Sequence, residues 1–146
     1  MGQGTASRDS AANTVAVAAR PRLIVAEDHP ALLDEVLRLL EPAFDVVRSV
    51  SHGLTLLETA VELRPDVIVT DIQMPGMDGI EASKRLLKAG ACAVVVVLSM
   101  YSDAHLVNRA FQAGVSGYVL KTHAADELIP AVHAALEGRQ YRSRGI

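Results

Sequence analysis

The fold is decided by the stretch Val67-Ile-Val-Thr-Asp71-Ile-Gln-Met-Pro75-Gly-Met-Asp-Gly79. Its three β-branched apolar residues predict a short buried strand, which ends at the carboxylate of Asp71. The proline and glycines that follow predict a loop, and a helical pattern begins near Asp78. A carboxylate at the carboxyl end of a buried parallel strand lies where open α/β sheets bind their ligands, so Asp71 is the first candidate functional residue.

Similar strand and helix patterns precede and follow this stretch. Strands are predicted at 23–26, 44–50, 67–70, 93–98 and 117–120, and helices at about 30–41, 53–63, 78–89, 103–112 and 124–137. The unbroken apolar run at 93–98 predicts a central strand that is buried on both faces. Five strands alternating with five helices predict an α/β fold, a doubly wound parallel sheet with helices on both faces.

Composition and charge exclude several classes of protein. The chain has 146 residues, of which 50% are hydrophobic, so it can bury a substantial core, and its single cysteine excludes an intrachain disulfide. Its net charge of -3 gives no electrostatic signature for nucleic acid or an anionic membrane. With no signal peptide or membrane-length apolar run, we expect a soluble cytoplasmic protein. Residues 1–20 are predicted to be a disordered tail, 21–138 one domain, and 139–146 an unstructured tail or the start of a linker.

Polar side chains stand at the carboxyl ends of four predicted strands. Glu27 and Asp28 follow the first strand, Asp71 the third, Ser99 the fourth and Lys121 the fifth. Each alone has a simpler interpretation, as a helix cap or a solvated lysine. Because the carboxyl ends of parallel strands share one edge, we expect all five to converge there, and their joint presence on otherwise apolar strands favours a functional site.

The chemistry of this set is specific. Three close carboxylates raise one another's pKa unless a cation lies among them, and hard oxygen ligands suit Mg²⁺. A lysine and a hydroxyl on the other side suit the oxygens of a phosphoryl group, whose transfer requires mainly positioning and charge neutralisation. Asp71 is then predicted to be the nucleophile that forms an acyl phosphate.

Together these motifs resemble the receiver domain of two-component response regulators, over residues 22–137. The resemblance rests on the acidic pair at 27–28, the loop at 71–79, Ser99, and the segment 113–121, which ends Gly117-Tyr-Val-Leu-Lys121. The segments 27–30 and 117–121 are most similar to the NarL/LuxR type. The resemblance implies a flavodoxin-like sheet of five strands in the order 2-1-3-4-5.

The resemblance also implies a role for each acidic residue. Asp71 would accept a phosphoryl group from a histidine kinase or a small phosphodonor. Mg²⁺ (or Mn²⁺) would be held by Asp28, Asp71 and the backbone carbonyl of Gln73, with Glu27 reaching the ion directly or through water.

The remaining site residues would bind the phosphoryl group and transmit its presence. Lys121 and Ser99 would each contact a phosphoryl oxygen, and Ser99 would draw the loop after the fourth strand inward. Tyr118 would then rotate into the vacated space. Gln73 and Tyr101 flank the phosphoryl position and would modulate dephosphorylation; we expect the bulky Tyr101 to shield the acyl phosphate and lengthen its lifetime.

Signal output would use the helix 4–strand 5–helix 5 face or the helix 1–helix 5 face, towards a partner, a second copy or an output domain that controls transcription. The NarL/LuxR type normally continues into a DNA-binding domain, so the chain is expected to be either a receiver alone or part of such a regulator. It is itself expected to bind neither DNA nor a membrane, and to catalyse only its own phosphoryl transfer and hydrolysis.

Three other readings remain open. A haloacid-dehalogenase-type phosphotransferase would need a second aspartate two residues after Asp71, where Gln73 stands. A flavodoxin-like flavin binder would need a phosphate-binding loop where the acidic segment 27–30 stands. The third is a phosphorylation-independent interaction module with a receiver fold.

Overall fold

The computed structural model describes residues 20–146, so the tail predicted at 1–20 lies outside the described residues except for Arg20. Strands and helices alternate through this part of the chain. The strands are β1 Arg22–Ala26, β2 Asp45–Val50, β3 Val67–Asp71, β4 Val95–Ser99, β5 Gly117–Leu120 and β6 Tyr141–Arg142. The helices are α1 Pro30–Leu40, α2 Gly53–Leu63, α3 Gly79–Lys88, α4 Ala104–Gln112 and α5 Ala124–Leu136, and a 3₁₀ turn covers Lys121–His123.

The strands form one parallel sheet in the order β2-β1-β3-β4-β5-β6. The predicted order 2-1-3-4-5 is therefore confirmed, and β6 extends it by one strand. Every residue of β3 and β4 is buried, because helices cover both faces of these central strands.

The prediction that 139–146 is unstructured was wrong. Tyr141 and Arg142 form β6 and pair in parallel with Gly117 and Tyr118 of β5. The amide of Tyr141 donates to the carbonyl of Ser116 at 3.0 Å. Without this segment β5 would be an edge strand with unpaired backbone groups, a cost that the two-residue strand removes.

Two hydrophobic clusters lie on opposite faces of the sheet. Helices α1 and α5 cover one face with side chains such as Val36, Leu40 and Leu128. Helices α2, α3 and α4 cover the other face with side chains such as Leu56 and Leu86. Among residues 20–146, no helix has the length and apolar character needed to cross a lipid bilayer.

Three helices begin at the carboxyl edge of the sheet with side-chain caps. His29 Nδ1, Asp78 Oδ1 and Asp103 Oδ2 accept hydrogen bonds from backbone amides in the first turns of α1, α3 and α4. The cap of α1 is thus His29, and neither residue of the acidic pair before it has this role. Both acidic side chains remain available to the site at this edge.

Candidate functional site

The carboxyl edge of the sheet carries an open cleft of about 470 Å³. The strands β1, β3 and β5 end beside it, and Glu27, Asp28, Asp71 and Lys121 come from these strand ends. It is lined by Glu27, Asp28, His29, Ala31, Leu32, Glu35, Asp71, Gln73, Met100 and Lys121. The predicted convergence of strand ends is thus observed for the acidic residues and the lysine.

Lys121 joins two carboxylates from different strands. Its Nζ lies 3.0 Å from Asp71 Oδ2 and 3.1 Å from Glu27 Oε1. All three side chains are at least nine-tenths buried. Buried charges are costly unless they are paired, so the ion pairs with Lys121 offset the cost of placing two carboxylates here.

Asp28 completes an acidic cluster at the mouth of the cleft. Carboxylate oxygens of Glu27, Asp28 and Asp71 lie within 4.8 Å of one another, and Asp28 is exposed whereas the other two are buried. Burial raises the pKa of Glu27, and the charge of Asp71 raises it further, while the amide of His29 and the charge of Lys121 act in the opposite direction.

The cluster has the donor chemistry of a hard divalent cation. Oε1 of Glu27 is buried 3.1 Å from Nζ of Lys121, and no other donor reaches it within residues 20–146. Three oxygen donors from two strands, one of them open to solvent, suit an ion such as Mg²⁺ that keeps part of its water shell. The residues present therefore fit the ion that the sequence predicts.

The backbone around Asp71 is held in place. The amide of Ile72 donates to Asp71 Oδ1 at 2.7 Å, and the hydroxyl of Thr70 donates to the carbonyl of Asp71 at 2.8 Å. Gly79 packs so closely that a Cβ there would lie 1.9 Å from the same carbonyl oxygen. The carboxylate is thus fixed by its own loop, whereas Gln73 is exposed at the edge of the cleft.

Ser99 is the last residue of β4 and pairs with Leu120 of β5. The residue before it, Leu98, pairs with Asp71 of β3. The buried Oγ of Ser99 accepts a hydrogen bond from the amide of Tyr101 at 3.0 Å. This bond already ties the loop after β4 to the strand end. The ring of Tyr101 is 44% exposed beside the cleft residue Met100.

Tyr118 is already inside the protein. Its side chain is fully buried, and its hydroxyl donates to the carbonyl of Tyr101 at 2.6 Å. Burial raises the pKa of Tyr118, so the ring remains a neutral donor. The family resemblance implies that Tyr118 rotates inward after phosphorylation, whereas the structure has Tyr118 in the inward position with Lys121 still paired to Asp71.

Sequence reasoning missed the groups that support the site. Thr70 is buried in the apolar run of β3, and its hydroxyl has no visible role in the sequence pattern. Gly79 was seen only as part of a loop, because its close contact with Asp71 depends on how the loop returns to β3. A threonine directly before the candidate nucleophile was the one available signal.

Comparisons with known proteins agree with this geometry. The family model of the response regulator receiver domain matches residues 23–133. The transcriptional regulatory protein DegU of Brevibacillus brevis is 36% identical over 122 residues, which are 82% of this chain and 52% of DegU. The chain thus spans about half the length of this relative.

Solved structures give the same result. A LuxR-family two-component response regulator from Aurantimonas sp. SI85-9A1 superposes with a TM-score of 0.79 at 32% identity, over 84% of this chain and 89% of that one. The isolated receiver domain of RcsB from Salmonella enterica serovar Typhimurium, determined with the phosphomimetic BeF3-, superposes with a TM-score of 0.77 at 26% identity, over 86% and 94% of the two chains.

Proposed function

The chain belongs to the response regulator receiver domain family of two-component systems, in its NarL/LuxR type, and we propose that it is a signalling switch operated by phosphorylation of Asp71. One observation carries the proposal. The ammonium of Lys121 lies between Asp71 and Glu27, next to a third carboxylate, at the edge of a solvent-accessible cleft. This arrangement offers a nucleophile, a positive charge and a cation site within one small volume.

The proposed reaction uses the Asp71 carboxylate as nucleophile. One of its oxygens attacks phosphorus, an O–P bond forms, and the P–N bond of a phosphohistidine or the P–O bond of acetyl phosphate breaks. Histidine or acetate leaves, and later attack of water on phosphorus releases phosphate and restores the carboxylate. Lys121, now 3.0 Å from Asp71 Oδ2, would pair with a phosphoryl oxygen instead. The chain would therefore catalyse only its own modification and its reversal.

Glu27, Asp28, Asp71 and the backbone carbonyl of Gln73 would hold Mg²⁺, or Mn²⁺ in its place. The bound ion supplies charge neutralisation for the negative phosphoryl oxygens. The ion pairs with Lys121 hold the side chains of Glu27 and Asp71 in place, and the exposed Asp28 leaves one side of the cluster open to solvent. This open side is where a phosphodonor would approach.

Transmission would run through the end of β4 and through β5. The Ser99 hydroxyl would contact a phosphoryl oxygen, and the inward position of Tyr118 would be favoured. The affected surface is the α4–β5–α5 face or the α1–α5 face. The proposed location of the chain is the cytoplasm, and its proposed partner there is a sensor histidine kinase. After phosphorylation, the proposed partner is a second copy, a further protein or an output domain that regulates transcription, and residues 20–146 would not themselves bind DNA.

The experiment is phosphorylation by acetyl phosphate with Mg²⁺, followed by intact mass and by molecular mass in solution. We expect one phosphoryl group per chain in the wild type, none after removal of Mg²⁺ and none in Asp71→Asn. Asp45→Asn is the matched control, because Asp45 is an exposed carboxylate at the start of β2.

An adduct on another residue, or one that persists in Asp71→Asn, would overturn the assignment. Steady turnover of a generic phosphate ester would instead favour a phosphotransferase of the haloacid-dehalogenase type. A chain that takes up no phosphoryl group but still binds its partner would be the phosphorylation-independent module.

A further inference from the structure

The last eight residues, 139–146, which we name the C-terminal latch, are docked along β5. The amide of Tyr141 donates to the carbonyl of Ser116 at 3.0 Å, and the amide of Ser143 donates to the carbonyl of Tyr118 at 2.9 Å. The latch thus satisfies the edge of β5 as a sixth strand.

A buried polar contact fastens the latch. Ser143 is 1% exposed, and its hydroxyl donates to a carboxylate oxygen of Glu127, which is 4% exposed on the inward side of α5. The same hydroxyl accepts from the amide of Leu120 at 2.9 Å. The amide of Arg144 donates to the other oxygen of Glu127 at 3.3 Å. A buried carboxylate without these partners would be costly, so undocking carries a large local penalty.

The latch also contacts the helices on both sides of β5. The guanidinium of Arg142 lies over the ring of Phe111 in α4, 4.2 Å from its centroid. On the other side, Arg144 lies 3.4 Å from Glu127 and 3.6 Å from Asp126 of α5. The latch therefore occupies the α4–β5–α5 face, and a second copy or a partner on that face would meet it.

The latch is attached to β5, the strand that carries Tyr118 and leads directly to Lys121. It bonds to the carbonyl of Tyr118, whose side chain is in the inward position, and to the amide of Leu120, the residue before Lys121. We propose that docking of the latch and occupancy of Asp71 by a phosphoryl group are coupled, each favouring the other; this inference rests on the proposed function. The sign follows from Tyr118, whose inward position, assigned by the proposed function to the phosphorylated chain, occurs here together with the docked latch.

Coupling between two sites is reciprocal, so it can be measured from either side. Beryllofluoride with Mg²⁺ serves as the phosphoryl probe, followed by fluorine NMR for binding and by hydrogen exchange at the amides of Tyr141 and Ser143. We expect the probe to slow exchange of both amides by about fivefold or more, and Ser143→Ala to weaken probe affinity by a similar factor.

Arg142→Ala is a second variant, because it removes the contact with Phe111 from an exposed position without leaving a buried carboxylate unpaired. Arg139→Ala is the matched control, because in the part of the chain that the structure describes the Arg139 side chain pairs only with the exposed Glu137, and its loss should leave both readouts unchanged. A wild type that binds the probe with unchanged exchange, or variants that lose latch protection with unchanged affinity, would refute the coupling alone. Absence of probe binding in the wild type would refute the proposed function, and the coupling with it.

Discussion

Replacement of Lys121 by methionine tests the electrostatic centre of the site without any assumption about phosphorylation. The substitution keeps most of the length of the side chain and removes its charge. It leaves Glu27 and Asp71, both buried, facing each other within a cluster whose carboxylate oxygens lie within 4.8 Å. We expect the variant to fold, to be much less stable above neutral pH, and to recover stability in acid.

The magnitude follows from the distances. Unit charges at the observed separations of 3.0 and 3.1 Å attract by about 5 kcal/mol per pair at an effective dielectric constant of about 20. Release of Lys121 from its buried position recovers several kcal/mol of desolvation, so the net loss is about 3–5 kcal/mol, the usual result of removing one partner from a buried pair. A domain with about 5–15 kcal/mol of stability remains folded after this loss but becomes marginal.

The pH dependence has a definite sign. Burial raises the pKa of Glu27 in the folded state above its ordinary value of 4.5, which applies to the unfolded state. At pH values between the unfolded-state pKa and the folded-state pKa, the folded state therefore binds more protons. Stability therefore falls as pH rises through this window. The charge of Lys121 lowers the pKa of Glu27. Its removal therefore raises the pKa of Glu27 further in the variant and moves the upper end of the window to higher pH.

Urea unfolding at about pH 5 and about pH 8 measures the free energy of unfolding that the variant loses and the dependence of that loss on pH. Lys88→Met is the control, because Lys88 is exposed at the end of α3 and its loss should change stability little. A loss below about 1 kcal/mol at the higher pH, or an equal loss at both pH values, would refute the reasoning. Mg²⁺ should restore part of the loss if the acidic cluster binds the ion.

Two further changes test the loops around Asp71. Gly79→Ala places a methyl group 1.9 Å from the carbonyl oxygen of Asp71, whereas Gly76→Ala, at φ 78° with no atom within 4 Å, meets only the strain of a left-handed backbone. We expect urea unfolding to show that Gly79→Ala is less stable than Gly76→Ala by at least about 2 kcal/mol. Equal losses of stability would contradict the close contact at Gly79. Tyr101→Ala should accelerate hydrolysis of the acyl phosphate several-fold, measured as loss of the phosphorylated mass after removal of the donor, and an unchanged lifetime would contradict shielding by the 44% exposed ring.

The sheet was predictable because its central strands carry a strong signal. The runs at 67–70 and 93–98 are β-branched or apolar throughout, and the strands that form there, Val67–Asp71 and Val95–Ser99, are buried at every position. The prediction began the second of these strands two residues too early, because Ala93 and Val94 continue the apolar composition but lie before the strand. Convergence of the acidic residues then followed from parallel topology alone. The double ion pair of Lys121 did not follow, because it depends on how a flexible side chain crosses the cleft between two strands.

The sixth strand could not be predicted from its own residues. Two residues carry no strand period, and the partner strand β5 lies on the far side of α5 in the chain. The signal was elsewhere, at Glu127, a carboxylate within the buried stripe that includes Ala124, Leu128 and Ala131. A charged residue at such a position requires a polar partner, and the segment 139–146 offers basic and hydroxyl-bearing side chains.

Strand β5 connects the ammonium of Lys121 to the latch. Lys121 follows Leu120 directly, the amide of Leu120 donates to Ser143, and the carbonyl of Tyr118 accepts from the latch. If Lys121 exchanges a carboxylate for a phosphoryl oxygen, the end of β5 must accommodate the new position, because the ammonium is held within 3.1 Å of both of its present partners. The latch is hydrogen-bonded to this segment at the carbonyls of Ser116 and Tyr118 and at the amide of Leu120. A change in the group bound by Lys121 therefore has a direct covalent and hydrogen-bonded path to the α4–β5–α5 face, and the exchange rates of Tyr141 and Ser143 are where it should first be detected.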